Sequence, residues 1–145
     1  MICVDASLAA KWLFEEEHHR EARAVYRGAV RASERIVGPP LLPIEITNVL
    51  RQRMRREGLS LSDANRLLGQ FLAFPVAIVA PAQLHERALA LADAHHLPVV
   101  YDAHYVALAE LLGCELWTSD QRLVRGLAGK LPFVRWVGDY DGSDV

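Results

Sequence analysis

Residues 1–14 read MICVDASLAAKWLF. Ile2, Cys3 and Val4 make a short apolar run of β-type residues, Asp5 ends it, and a helix is expected over 6–14. A strand followed at once by a helix is the opening of a β-α unit, with an acid at the carboxyl end of the strand.

The same alternation continues outward from this segment. A charged amphipathic helix is expected over 17–33, with Ala22, Val25, Ala29 and Val30 at helical spacing, and a second strand over 35–38. Pro39, Pro40 and Pro43 in PPLLP place a helix start at about residue 43, and Gly58 ends that helix. Ser60 and Asp63 stand at capping-box spacing before a helix to residue 73. A third strand is predicted over 76–79, a helix over 81–95, a fourth strand over 98–101 and a helix over 103–112. A fifth strand over 115–118, a helix over 121–128 and an edge strand over 133–137 complete the reading. Short strands alternating with longer helices mark an α/β protein with a mainly parallel sheet. With no repeat or linker in the sequence, residues 1–145 read as a single domain.

The composition agrees. A chain of 145 residues, 52% hydrophobic and 23% charged, buries about 68–70% of its unfolded surface, which excludes a disordered tail or a disulfide-stapled miniature fold. The formal charge of -2 carries no global signature of nucleic-acid binding and does not exclude it. Cys3 and Cys114 lie in apolar runs without metal-ligand spacing and read as buried, reduced structural thiols. The N-terminus lacks signal-peptide character and no apolar run suits a membrane span, so cytoplasm is the default expectation.

In an open parallel sheet, ligands bind outside the carboxyl ends of the strands. Asp5, Asp102 and Asp120 are all expected there, and Glu45 begins a helix on which Asn48 and Gln52 share its face. Asp at a strand-to-helix junction also serves as an N-cap, and Glu45 alone reads as a solvated helix residue. Ser119 is available to cap the last helix, however, so three Asp and a facing Glu exceed what capping requires. Two unit charges ~4 Å apart repel by about 4 kcal/mol at an effective dielectric of ~20. Lys11 is the one lysine near these motifs, which leaves divalent cations to compensate. All-oxygen ligands suit Mg²⁺ or Mn²⁺, and such ions activate water at a phosphodiester.

VDAS at 4–7, PIEITNVL at 43–50, YDAHYVALAE at 101–110 and LWTSDQRL at 116–123 together resemble the four acidic motifs of the PIN domain, and more narrowly those of VapC toxins. The resemblance implies a three-layer α/β/α fold around a sheet of about five strands, and a Mg²⁺- or Mn²⁺-dependent endoribonuclease. It assigns the metal-binding, catalytic acids to Asp5, Glu45, Asp102 and Asp120, with Ser7, Asn48 and Thr118 orienting ligands or water behind them. Tyr105 matches as well, although a helix aromatic also reads as packing. The resemblance further implies an RNA substrate, a VapB-type antitoxin and a homodimer, with no membrane partner.

Other polar residues carry weaker signals. His18, His19, His85, His95 and His96 read as surface or capping residues, while His104, two residues past Asp102, is a candidate for substrate contact. Of the 16 basic residues 14 are Arg; Arg51, Arg53, Arg55, Arg56, Arg122 and Arg125 could grip a phosphate backbone or form a solvated helix face. Trp12 and Trp117 read as core, and Trp136 as core or contact surface. A phosphoacceptor receiver domain also clusters acids at strand ends, but Ala80-Pro81 stands where its acceptor Asp belongs. A non-catalytic PIN-like module and a PIN-type nuclease acting on DNA share the motifs. Setting four of the 18 acids aside for a metal pocket leaves 14 against 16 basic residues, a formal +2 for the remainder.

Overall fold

The computed structural model describes residues 1–127 and 129–142. Strands β1 (Ile2–Val4), β2 (Ile36–Gly38), β3 (Val76–Ile78), β4 (Glu115–Thr118) and β5 (Val134–Trp136) form one sheet in the order β3-β2-β1-β4-β5, and every pairing is parallel. Parallel neighbours need long crossovers, and helices supply them. They are α1 (Ala6–Leu13), α2 (His19–Arg31), α3 (Leu41–Glu57), α4 (Leu61–Ala73), α5 (Leu84–Ala94), α6 (Tyr101–Leu112) and α7 (Gln121–Leu127). α1 packs with α2, α3 and α4, whereas α5 and α6 pack on each other with α6 against β1 and β4. The result is three layers, α/β/α.

Burial follows the layers. All residues of β1 and β2 are buried, as a sheet covered on both faces requires, while β3 at one edge is not. Trp12 and Trp117 are core residues, and Trp136 is half-buried. Cys3 is fully buried, but Cys114 is only partly so, and both are free thiols. Among the described residues no helix is long and apolar enough to cross a membrane.

One predicted strand is absent. Residues 98–100 are bends and 101 already belongs to α6, so Asp102 sits in the first turn of a helix and closes no strand. A short apolar run does not by itself distinguish a strand from a helix start. Val99 is 49% exposed, and a fourth place in the sheet is filled instead by 115–118, with 134–136 at the edge.

Other differences are at boundaries. α3 begins at Leu41 rather than 43, because first-turn N–H groups have no intrahelical acceptor and Pro43 therefore forfeits nothing there. α2 spans 19–31 rather than 17–33, and α5 starts at Leu84 rather than 81. Ser60 Oγ accepts from Asp63 N at 3.0 Å as the capping spacing predicts. The expected end of the last helix at Ala128 lies outside the described residues.

The sheet order contains one reversal. The chain moves outward from β1 through β2 to β3, then returns to place β4 on the other side of β1. The crevice between the carboxyl ends of β1 and β4 is therefore the switch point at which such sheets bind ligands.

Candidate active site

Asp5 follows β1 directly and caps α1, its Oδ1 accepting from Leu8 N at 3.0 Å. Ser7 Oγ donates to the same oxygen at 2.7 Å, and Thr118 Oγ1 donates to Oδ2 at 2.5 Å. Both hydroxyls in turn accept backbone donors from the β4 side: Ser119 N reaches Ser7 Oγ at 3.0 Å and Asp120 N reaches Thr118 Oγ1 at 3.0 Å. Asp5 thus fastens the two strand ends of the switch point together. It is 4% exposed, and burial pushes its carboxyl up from 3.8 to about 6, against the three hydrogen bonds and with the added push of Asp102.

Of the other acids, Glu45 and Asp102 stand on α3 and α6, and Asp120 lies just before α7. Glu45, in the second turn of α3, accepts at Oε2 from the Tyr105 hydroxyl at 3.0 Å. Its carboxyl is raised by burial and by the charge of Asp102, with the Tyr105 bond opposing. Asp102 is likewise raised by burial and then by Asp120, while Arg122 lowers it. Asp120 caps α7, accepting at Oδ1 from Arg122 N at 2.9 Å, so it takes the capping role that Ser119 was expected to have. Ser119 Oγ is buried without a hydrogen-bond partner.

All four acids line one open cavity of about 450 Å³, together with Ser7, Asn48 and Ser119. Thr118 lies fully buried behind it. Gln52 does not line the cavity; Val49 and Arg53 hold that side of α3. Lys11 and Glu16 also line it. Lys11 follows Ser7 by one helical turn, and Arg53 follows Glu45 by two, spacings that could have found them; Glu16 lies in a loop and has no such signal.

Of the remaining candidates, Arg51, Arg55 and Arg56 are exposed away from the lining, and Arg125 hydrogen-bonds Gln121 Oε1 at 3.2 Å. Arg122 lines a neighbouring cavity of about 390 Å³ that shares Asp102 and Asp120. His104 is outside both cavities; its Nδ1 lies 2.8 Å from Val100 O and its Nε2 2.9 Å from His85 Nδ1. That pairing spans two helices and so escapes any search for histidine spacing. Tyr105 serves packing and polarity at once, being fully buried with its hydroxyl on Glu45.

The donor set suits a hard divalent ion. Its side chains are oxygen donors, and the cations in the cavity, Lys11 and Arg53, are both engaged by Glu16. Among the described residues no group of three acid, His or Cys side chains is arranged so that it could hold a metal ion. Mg²⁺ does not require such a group, because it keeps several waters and needs only one or two carboxylates.

A family model described as PIN domain matches residues 2–126. The chain belongs to the PIN-domain family. It is 35% identical over 123 residues to VapC ribonuclease Mb0985 of Mycobacterium bovis, covering 85% of this chain and 88% of that protein. It is 33% identical over 127 residues to ribonuclease VapC3 of Pyrobaculum aerophilum, covering 84% and 91%. The solved structure of PAE2754 from Pyrobaculum aerophilum superposes with a TM-score of 0.63 at 26% identity, over 86% of this chain and 78% of that one. VapC20 of Mycobacterium tuberculosis, a toxin that cleaves the sarcin-ricin loop, has the same fold, with a TM-score of 0.63 at 20% identity over 93% and 99%. This PIN domain is therefore of the VapC type, as the four motifs implied.

Proposed function

We propose that this PIN domain is a divalent-cation-dependent endoribonuclease and the toxin of a toxin–antitoxin pair. The observation that carries the reading is the convergence of Asp5, Glu45, Asp102 and Asp120 on one cavity at the switch point of the sheet, where Glu16 holds both cations of the lining and, among the described residues, the exposed Arg122, 3.7 Å from Asp120, is the only cation paired with any of the four. These four acids would hold Mg²⁺ or Mn²⁺. When bound, the ion supplies activation of water and stabilises charge on the phosphodiester.

The chain's own residues prepare that chemistry. Ser7 and Thr118 fix both oxygens of Asp5, and Tyr105 fixes one oxygen of Glu45, so neither carboxylate reorients when a cation arrives. Asn48 lies on the cavity wall one turn from Glu45, where its amide reaches ligand or water. Burial raises the carboxyls of Asp5, Glu45 and Asp102, and a nearby divalent charge reverses that shift by favouring the ionised forms. No side chain is required as nucleophile. Release of the 3′ oxygen leaves 5′-phosphate and 3′-hydroxyl ends.

Kinship with the VapC ribonucleases supports RNA as substrate, a VapB-type antitoxin as partner, a homodimer and a cytoplasmic setting. The test is incubation of cellular RNA with the purified chain, with Mg²⁺ or Mn²⁺ and with EDTA, followed by analysis of the new ends. Cleavage that requires the ion and leaves ligatable 5′-phosphates is expected. Cleavage in EDTA, or no cleavage of RNA beside efficient cleavage of DNA, contradicts the reading.

A further inference from the structure

Three charged side chains of the cavity lining meet one another. Glu16, in the loop between α1 and α2, receives Lys11 Nζ on Oε1 at 3.3 Å and Arg53 Nη2 on Oε2 at 2.6 Å. One carboxylate therefore bridges a lysine from α1 and an arginine from α3. Arg53 is held for this by its guanidinium, which lies 3.9 Å above the ring of Phe14, and by a second bond to Glu57 at 3.2 Å. Lys11 is 14% exposed and Arg53 24%, so both cations are largely withdrawn from water, while Glu16 at 33% is the most accessible of the three.

A phosphodiester presents what the Glu16 carboxylate presents: two oxygens sharing one negative charge, which a guanidinium fork and an ammonium recognise equally well. The three residues line the same cavity as the four acids. A polynucleotide with its reacting phosphate at the acids would carry further backbone phosphates past this wall. Meanwhile the loop offers Glu16 freedom to leave, because its anchor to α2 is through backbone: His19 N donates to Glu16 O at 3.1 Å.

We propose that Lys11 and Arg53 form a binding subsite for an RNA backbone phosphate next to the cleavage centre, and that Glu16 occupies it as a built-in competitor which the RNA displaces. The subsite rests on the nuclease reading for its ligand. It differs in what it predicts. Removing a carboxylate that merely ties a loop down leaves RNA binding unchanged or weakens it, whereas removing a competitor strengthens binding.

The test is the affinity of the full chain for a short fluorescent single-stranded RNA, measured by anisotropy in EDTA at several salt concentrations, so that no cleavage is involved. Glu16→Gln should tighten binding by about fivefold and steepen the slope of log affinity against log salt by up to ~0.7, the contribution of one further phosphate contact on a single strand. Glu17→Gln makes the same charge change one residue away on an 87% exposed side chain and should change affinity less than twofold. In a chain carrying Lys11→Gln and Arg53→Gln, Glu16→Gln should bring no gain. A gain from Glu16→Gln no larger than that from Glu17→Gln overturns the subsite, as does a gain that survives without Lys11 and Arg53. The first comparison decides even if the multiple variant does not fold. A chain that cuts RNA without the Glu16 response loses this subsite alone, and one that shows the response without ever cutting loses the nuclease reading alone.

Discussion

The hydroxyl of Tyr105, on α6, donates to Glu45 Oε2, on α3, at 3.0 Å. The ring is fully buried, so the core of the protein sets the position of a carboxylate on the cavity wall. Tyr105→Phe keeps the ring and removes only the bond. Because that bond lowers the Glu45 carboxyl, its loss raises the carboxyl further and moves the acid limb of activity to higher pH. Divalent-ion affinity should fall by about 10- to 100-fold while stability changes by about 1 kcal/mol. Activity against ion concentration at two pH values, beside denaturant unfolding, checks both.

Asp5 should destabilise the fold that positions it. Its folded carboxyl is raised to about 6 from 3.8, so the folded state holds the proton more tightly than the unfolded state does. The stability associated with it is complete below about pH 4 and is lost as pH rises through about 6, a cost of up to about 3 kcal/mol. Asp5→Asn does not titrate and still offers an oxygen to Leu8 N. Without divalent ions it should melt up to roughly 6–12 °C above the natural chain at pH 8 and show almost no advantage at pH 4. Thermal melts at the two pH values decide it; an equal difference at both would count against a buried charge at Asp5.

Ion binding should appear as stability before any RNA is added. Three raised carboxyls in one cavity are relieved together by a cation that binds only the folded state. At a hundredfold excess over its dissociation constant such an ion contributes about 2.7 kcal/mol, or roughly 5–10 °C in melting temperature. Mg²⁺ or Mn²⁺ should therefore raise the melting temperature at pH 8, EDTA should reverse the rise, and Glu45→Gln should blunt it. Indifference of the natural chain to the ions would remove the metal from the account.

Much of this was legible in the sequence because strand ends and helix faces are local properties. ICVD places Asp5 at the end of β1, and LWTSD places Asp120 just after β4, and these two runs do pair as neighbouring strands in the sheet. Asp102 was placed correctly in the cavity but for the wrong local reason. VVYD resembles ICVD, yet Val99 and Val100 are bends, α6 begins at Tyr101, and Val99 faces solvent. The mouth of the cavity stays in place because helix start and strand end fall at the same edge of the sheet.

The charged wall was not legible to the same degree. Lys11 and Arg53 stand on predicted helices at turns that face the acids, but their convergence on Glu16 depends on the path of the loop between α1 and α2, where His18 takes a left-handed φ of 61°. In the sequence Arg51, Arg53, Arg55 and Arg56 read alike, as a grip on a phosphate backbone or as a solvated helix face. The structure separates Arg53, folded against Phe14, from Arg51, Arg55 and Arg56, which remain in solvent.

The most direct measurement is RNA cleavage by Asp102→Asn at saturating Mg²⁺ or Mn²⁺. Asp102 is raised by burial and by Asp120, yet it caps no helix, unlike Asp5 and Asp120, so its replacement removes a charge from the cavity and spares the fold. Cleavage reduced by at least about 100-fold, with an unchanged circular dichroism spectrum, is the predicted result. Cleavage within a fewfold of the natural chain would contradict the claim that the four acids at the switch point carry the reaction.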